Sequence, residues 1–215
     1  MMNLETLKNV IYTAVISDAL DSLGYRNQAI AGHFNAYTGI TKLIGRAKTT
    51  LWTDVYSEDK KPYDLELQAV DSCKAGDILI CAAGGSMRSG IWGELLSTAA
   101  QNSLCAGAIV HGAVRDIKKM ADISFPVFAT GNCPYDSLHR QKVVDVDVPV
   151  EINGVVIRPG EIVFADEDGI VVIPAEVESE VIKLAIEKVN AENITRDAIK
   201  GGMKATDAYL KYGVL

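Results

Sequence analysis

Apolar residues recur every three or four positions from the start of the chain to Gly24: Leu4, Leu7, Val10, Ile11, Val15, Ala19, Leu20 and Leu23. That period predicts an amphipathic helix over residues 1–24, with Gly24 as its stop. Residues 25–41 lose the period and read as loop, and "IGRAKTTLW" then has the β-branched alternation of a strand. A polar insert rich in Asp, Glu and Lys occupies 54–66. Two later segments share one design, "AGDILICAAGG" (75–85) and "RPGEIVFADEDG" (158–169). In each, a Gly-acid pair opens a short apolar strand that ends in a Gly-containing turn.

Between these two strands, "GIWGELLSTAAQNSLCAGAIVHGAVRD" reads as helix and then buried strand, with Trp92, Leu95, Leu96, Ala99 and Ala100 on the helical face. "FPVFATG" is the next strand. "VVDVDVPVEINGVVIRPGE" alternates apolar and polar around an Asn153-Gly154 hairpin turn, and "GIVVIPAE" is another strand. From Ala175 onward the period is helical again (Val177, Val181, Leu184, Ala185, Val189), broken at Gly201-Gly202 and followed by a short helix ending at Gly213. No low-complexity linker divides the chain, so residues 1–215 are expected to form one domain. Strands alternating with helices, a late hairpin and helices at both ends predict an α/β fold with a mixed sheet.

Composition narrows the partners. With 48% hydrophobic residues the chain can fill a core, and a formal charge of -7 disfavours nucleic acid or an anionic membrane as the main ligand. The N-terminal stretch lacks a basic leader and no apolar run reaches the length of a membrane span, so a cytoplasmic protein is expected. Cys73, Cys81, Cys105 and Cys133 form no CxxC and read as reduced, core-forming thiols. His111 belongs to a buried strand and reads as a satisfied core residue; His33 and His139 fall in loops. "DEDG" at 166–169 lacks the ligand spacing of a calcium loop and reads as a polar turn.

Two stretches carry candidate chemistry. "GGSMRSGIWGELL" (84–96) runs from a Gly-rich loop into a helix start, whose free amides suit an anion, although it serves equally as a βα turn without a ligand. "HGAVRD" (111–116) leaves a buried strand with two adjacent opposite charges. Successive side chains of an extended chain point to opposite faces, so Arg115 and Asp116 are expected to have separate partners. Glu94 starts the helix that leads into this strand, and could share a cleft with them. Carboxylates there suit Mg2+ or Mn2+, and arginine suits a substrate carboxylate. Together these point to a small 2-oxo acid, with Asp116 toward the metal and Arg115 toward the substrate.

The residues "WGELLSTAAQNSLCAGAIVHGAVRD" resemble the RraA-like family, which includes class II pyruvate aldolases of the 4-hydroxy-4-methyl-2-oxoglutarate type. The likeness extends to "ISDALDSLG", "LIGRAKTT", "AGDILI", "PVFATG", "VPVEINGVVIRPGEIVFADEDGIVVIPAE" and "GMKATDAYLKYGVL". The resemblance implies an α-β-β-α sandwich of the swivelling β/β/α type, assembled as homotrimers or homohexamers with sites at subunit contacts. It implies a signature of an acid, twenty intervening positions and Arg-Asp, here Glu94, Arg115 and Asp116. By the same resemblance Asp116 binds the metal, Arg115 contacts the pyruvyl part, and the backbone of Gly93, Glu94, Leu95 and Leu96 holds the substrate carboxylate. A glutamate from a neighbouring subunit's C-terminal helix completes the outer shell of the metal; Glu192 is the candidate. Two departures matter: the signature usually begins with aspartate where this chain has Glu94, and Lys119 stands where another branch often has an acid.

The expected activity is a metal-dependent lyase that forms the enolate of pyruvate, by retro-aldol cleavage of a 4-hydroxy-2-oxo acid, by decarboxylation of oxaloacetate, or both. Arg115 supplies fixed positive charge, and Glu94 positions a water that takes the 4-hydroxyl proton. The rival expectation is a non-catalytic regulator that binds a ribonuclease. A methyltransferase reading lacks a nucleotide-binding GxGxG after a first strand. In "YDSLHR", Ser137 and Arg140 are further residues within possible reach of the cleft.

Overall fold

The computed structural model describes residues 4–214. The chain forms helices α1 (Leu4–Lys8) and α2 (Thr13–Ser22), short strands β1 (Ala29–Ile30) and β2 (Asn35–Ala36), and the long strand β3 (Leu43–Asp54). Helix α3 (Asp64–Asp71), β4 (Asp77–Ala82), β5 (Gly90–Trp92), α4 (Glu94–Asn102), β6 (Gly107–Val114), α5 (Ile117–Asp122) and β7 (Val127–Asn132) follow. Then come β8 (Gln141–Val146), the hairpin β9 (Val150–Ile152) and β10 (Val155–Ile157), β11 (Ile162–Ala165), β12 (Ile170–Ile173), α6 (Glu178–Lys200) and α7 (Ala205–Tyr212). The fold is mixed α/β, with a curled mixed sheet and flanking helices, as expected.

The main sheet runs β1-β12-β11-β3-β4-β6-β7-β2, with β5 added to β6 and β8 to β3. Its centre, β3-β4-β6-β7, is parallel, and its β11, β12 and β8 pairings are antiparallel. Parallel strands need cover on both faces, which is why β4 and β6 are apolar nearly throughout. One face carries α3, α4 and α5 through Ala69, Ala100 and Met120, with Phe125 from the turn after α5 packed among them. The opposite face is closed by the β9-β10 hairpin through Ile152, Val155 and Ile157. Helices α2 and α6 pack on the β11-β12 end around Phe164, through Ile16, Leu20, Val181 and Ala185.

The shared design of the two Gly-acid segments is physical. Gly76 and Gly160 both have positive φ (+83° and +85°). In each turn the following acid accepts an amide three residues back, Lys74 N–H to Asp77 at 2.7 Å and Arg158 N–H to Glu161 at 2.8 Å. The strands they launch, β4 and β11, lie on either side of β3.

Three expectations change. The helix expected over 1–24 is two helices, with residues 1–3 outside the described residues; Tyr12 is extended (φ -148°, ψ 165°). The break is fixed from outside: buried Asp166 accepts the Thr13 amide (2.8 Å) and hydroxyl (2.5 Å), capping α2 from the β11-β12 turn. The 25–41 loop contributes two edge strands, β1 and β2. The polar insert is not all loop, because α3 begins inside it, where Leu65, Ala69 and Val70 form an apolar face.

Candidate active site

Strand β6 delivers Arg115 and Asp116. Arg115 N–H still pairs with Trp92 O (2.9 Å), extending the β5-β6 ladder by one bond. Asp116 then takes a left-handed conformation (φ 55°, ψ 32°), uncommon outside glycine, and α5 begins at the next residue. That turn ends the strand's alternation. Both side chains therefore line one cleft of about 280 Å³ instead of pointing to opposite faces.

The start of α4 forms the cleft's second wall. Trp92 Nε1–H donates to Ser97 Oγ (2.8 Å), and Ser97 Oγ–H to Gly93 O (2.9 Å), which pins the first turn. The first amides of a helix have no intrahelical acceptor, and here the helix presents Gly93, Leu95 and Leu96 to the cleft. Glycine at 93 and 90 makes the close approach possible. A β-carbon on Gly93 would lie 2.7 Å from Asp116 Oδ2, and one on Gly90 would lie 2.9 Å from Arg115 Cβ and 2.5 Å from Cys133 O.

Arg115 does have its own partner, one not foreseen in the sequence: its Nη2 donates to Asp136 Oδ2 at 2.6 Å, whereas Nε is 3.8 Å from Asp116 Oδ2. Asp136 Oδ1 accepts from Tyr63 Oη (2.6 Å) and from Leu138 N–H (2.7 Å). Burial works to raise the Asp136 pKa, but these hydrogen bonds and the Arg115 charge outweigh it, and the carboxyl is held below its ordinary value. Tyr63 is pushed up to about 12 by burial and by donating to that carboxylate.

A third wall comes from α3, which brings Tyr63 and Glu66 into the lining. Glu66 is 8% exposed, and its Oε2 has no hydrogen-bond partner. Burial and then the Asp136 charge raise its pKa to about 8, with Arg115 opposing. The missed signal was the apolar spacing of Leu65, Ala69 and Val70, which puts "YDLELQAV" on a helix. Asp136 lay within "YDSLHR" but without a local pattern to single it out.

The remaining expected residues divide. Ser137 lines the cleft, whereas Arg140 stacks 4.8 Å over the Tyr135 ring. Glu94 lies outside the lining, its carboxylate accepting from Thr98 Oγ1 at 3.2 Å. Glu192 accepts from the Tyr12 hydroxyl and lies 3.7 Å from Arg196, joining α6 to the start of α2. His111 is not the satisfied core residue expected: it is half-buried beside Phe34, its Nδ1 has no partner, and burial lowers its pKa. Cys81 and Cys105 are buried, Cys73 and Cys133 half-buried, and all four are free.

The donor set fits a hydrated magnesium-type ion better than a protein-caged one. Among the described residues no three His, Cys, Asp or Glu side chains converge. Asp116 is 46% exposed, faces the α4 start, and occupies the space that the Gly93 side chain leaves free. Mg2+ commonly binds through one or two carboxylates and keeps its waters.

The RraA-like family model, described as Aldolase/RraA, matches residues 13–172. Protein DlpA of Legionella pneumophila is 31% identical over 202 residues, covering 93% of this chain, but the chain spans only 32% of that relative. The 4-hydroxy-4-methyl-2-oxoglutarate aldolase of Thermus thermophilus is 30% identical over 155 residues, 72% of this chain and 90% of the relative. Among solved structures, Streptomyces coelicolor RraAS2, described as an unusual member of the RNase ES inhibitor RraA protein family, superposes with a TM-score of 0.78. It is 26% identical, and the match covers 91% of this chain and 98% of RraAS2. Among the described residues no helix is long and apolar enough to cross a membrane.

Proposed function

The chain belongs to the RraA-like family, and on that premise we propose that it is a class II, metal-dependent lyase that generates the enolate of pyruvate. The reactions are retro-aldol cleavage of 4-hydroxy-2-oxo acids such as 4-hydroxy-4-methyl-2-oxoglutarate, decarboxylation of oxaloacetate, or both. The observation that carries this reading is the convergence of the Arg115 guanidinium and the Asp116 carboxylate on the amide end of α4, in a cleft sized for a small molecule.

Arg115, held by Asp136, sets a fixed positive charge beside the oxygen on which negative charge develops. Preorganised charge of this kind is worth about 100-fold in rate. The amides of Leu95 and Leu96 receive the substrate carboxylate. Asp116 would hold a divalent cation, Mg2+ or Mn2+, together with water. When bound, that ion supplies a Lewis acid for the 2-oxo group. In both reactions the electrons of the broken carbon–carbon bond pass to the 2-oxo oxygen. Retro-aldol cleavage also needs a base for the 4-hydroxyl, and the lie of Glu94 against Thr98 gives that residue no direct contact with the cleft. Decarboxylation needs no such base.

The working form is a homo-oligomer, trimer or hexamer, in which a second copy covers the exposed Leu67 (50%) and Leu95 (77%) at the rim of the cleft. A second reading, a regulator that binds a ribonuclease, is favoured by the likeness to RraAS2. One assay separates the two. Pyruvate release from oxaloacetate and from 4-hydroxy-4-methyl-2-oxoglutarate is followed with Mg2+ and with excess chelator, beside Arg115→Ala and Asp116→Ala. Metal-dependent release lost in both variants supports the lyase. No release from metal-loaded protein with either substrate sinks the assignment to these two substrates and leaves another 2-oxo acid or the regulator.

A further inference from the structure

Either reaction proposed above stops at an enolate, and an enolate becomes pyruvate only when C3 receives a proton. The cleft contains a group suited to give it. Glu66 lines the cleft from α3, is almost wholly buried, and leaves Oε2 without a partner. A buried polar oxygen with no partner is costly and uncommon, and one that borders a cleft can be satisfied by what binds there.

The other titratable groups facing it are unsuited. The oxygens of Asp136 are occupied by Arg115, Tyr63 and the Leu138 amide, and the carboxyl is held ionised. Tyr63 spends its hydroxyl proton on Asp136. Arg115 does not lose a proton in proteins. Cys81 lies buried within β4 with its thiol pushed up to about 12. With Asp116 assigned to the cation, Glu66 is the remaining carboxyl of the lining, and burial and then Asp136 lift its pKa to about 8, which keeps it neutral near pH 7.

We propose that Glu66 is the proton donor that converts the enolate to pyruvate, an assignment that rests on the lyase reading. The O–H bond of Glu66 breaks as a C–H bond forms at C3. The enolate double bond supplies the electron pair while its oxygen returns to the carbonyl form. The Glu66 carboxylate remains beside Arg115 and takes a proton from water after product leaves. Run backward, the same carboxylate removes a methyl proton from pyruvate.

The test is exchange of pyruvate methyl protons in D2O, read by NMR with Mg2+-loaded protein, for wild type, Glu66→Gln and Glu66→Asp. Wild type is expected to exchange, with a pH profile that inflects near the Glu66 pKa. Glu66→Gln is expected to lose about 100-fold in exchange together with that inflection, and to lose only about tenfold in oxaloacetate consumption, a step that precedes protonation. Glu66→Asp is expected to restore part of the exchange. Circular dichroism checks that each variant is folded. Exchange at the wild-type rate with an unchanged profile in Glu66→Gln overturns the Glu66 assignment and leaves the lyase standing. Wild type that neither exchanges nor releases pyruvate from either substrate overturns the lyase reading, and the Glu66 assignment with it.

Discussion

Arg115 and Asp136 are bound to each other, Nη2 to Oδ2 at 2.6 Å, and this contact rather than the adjacent Asp116 fixes the guanidinium in the cleft. Asp136 also raises the pKa of Glu66. Replacing Asp136 by Asn keeps the shape but removes the charge, so it acts on both neighbours. Arg115 loses its anchor, and kcat/KM is expected to fall about 10- to 100-fold. Glu66 loses a carboxylate that opposes its ionisation and faces a less neutralised Arg115. Both changes lower its pKa, so the alkaline limb of the pyruvate-release profile should move to lower pH. Steady-state rates across the pH range check both effects, and an unmoved limb would contradict the coupling.

Gly93 and Asp116 make a second pair. The backbone of Gly93 is extended (φ -156°), which alanine adopts without strain, so Gly93→Ala is a steric test of the carboxylate's place. The added carbon would lie 2.7 Å from Asp116 Oδ2 and displace it. Mg2+ affinity is expected to weaken about tenfold or more while the melting temperature barely changes. Titration calorimetry with Mg2+ reads the first and a thermal melt the second. An unchanged affinity would overturn the proposed role of Asp116 in holding the cation. Gly90→Ala behaves differently, because its added carbon meets the backbone oxygen of Cys133, and a lower melting temperature is expected.

The elements that the chain announces most clearly are those whose signal is local. The apolar runs of β4, β6, β11 and β12 and the Asn153-Gly154 turn need only neighbouring residues to be read, and the resemblance centred on Arg115-Asp116 brought the site's charged centre into view. What escaped depends on contacts distant in sequence. Asp166 sets the start of α2 from across the chain, Asp136 reaches Arg115 from the loop before β8, and α3 carries Glu66 out of a segment that looks like polar loop. Alternation failed at Asp116 for a local reason, its left-handed backbone, which its sequence does not announce.

Glu66 also leaves a mark on stability. Its native pKa is about 8, above the ordinary glutamate value near 4.3 in an unfolded chain. Between these values the native state holds a proton that the unfolded state has released, so the folded protein loses stability as pH rises through that window. The full effect is on the order of several kcal/mol, complete only above the native pKa. Glu66→Gln has no charge to bury. Its melting temperature is expected to match wild type near pH ~4 and to exceed it increasingly toward pH ~8. Melts across that range check the sign. A gap that stays constant with pH would show that Glu66 is already ionised in the folded protein.

Asp166 offers the corresponding test at the other end of the molecule, outside the lining of the cleft. The residue is 6% exposed, and its carboxylate accepts the Thr13 amide, the Thr13 hydroxyl and the Asp168 amide. Removing it strips the cap from α2 and leaves buried donors without acceptors, whereas removing only the Thr13 hydroxyl leaves the amide bond in place. Asp166→Ala is therefore expected to cost about 2–3 kcal/mol, and Thr13→Ala about 1 kcal/mol. Their double variant should cost less than the sum, because the hydroxyl contact is counted in both single changes. Urea unfolding measures all three. Because Asp166 lies outside the lining, pyruvate release at temperatures where the variants stay folded should remain at the wild-type level. Additive losses would mean that the 2.5 Å hydroxyl contact contributes nothing, and that the amide alone fixes where α2 begins.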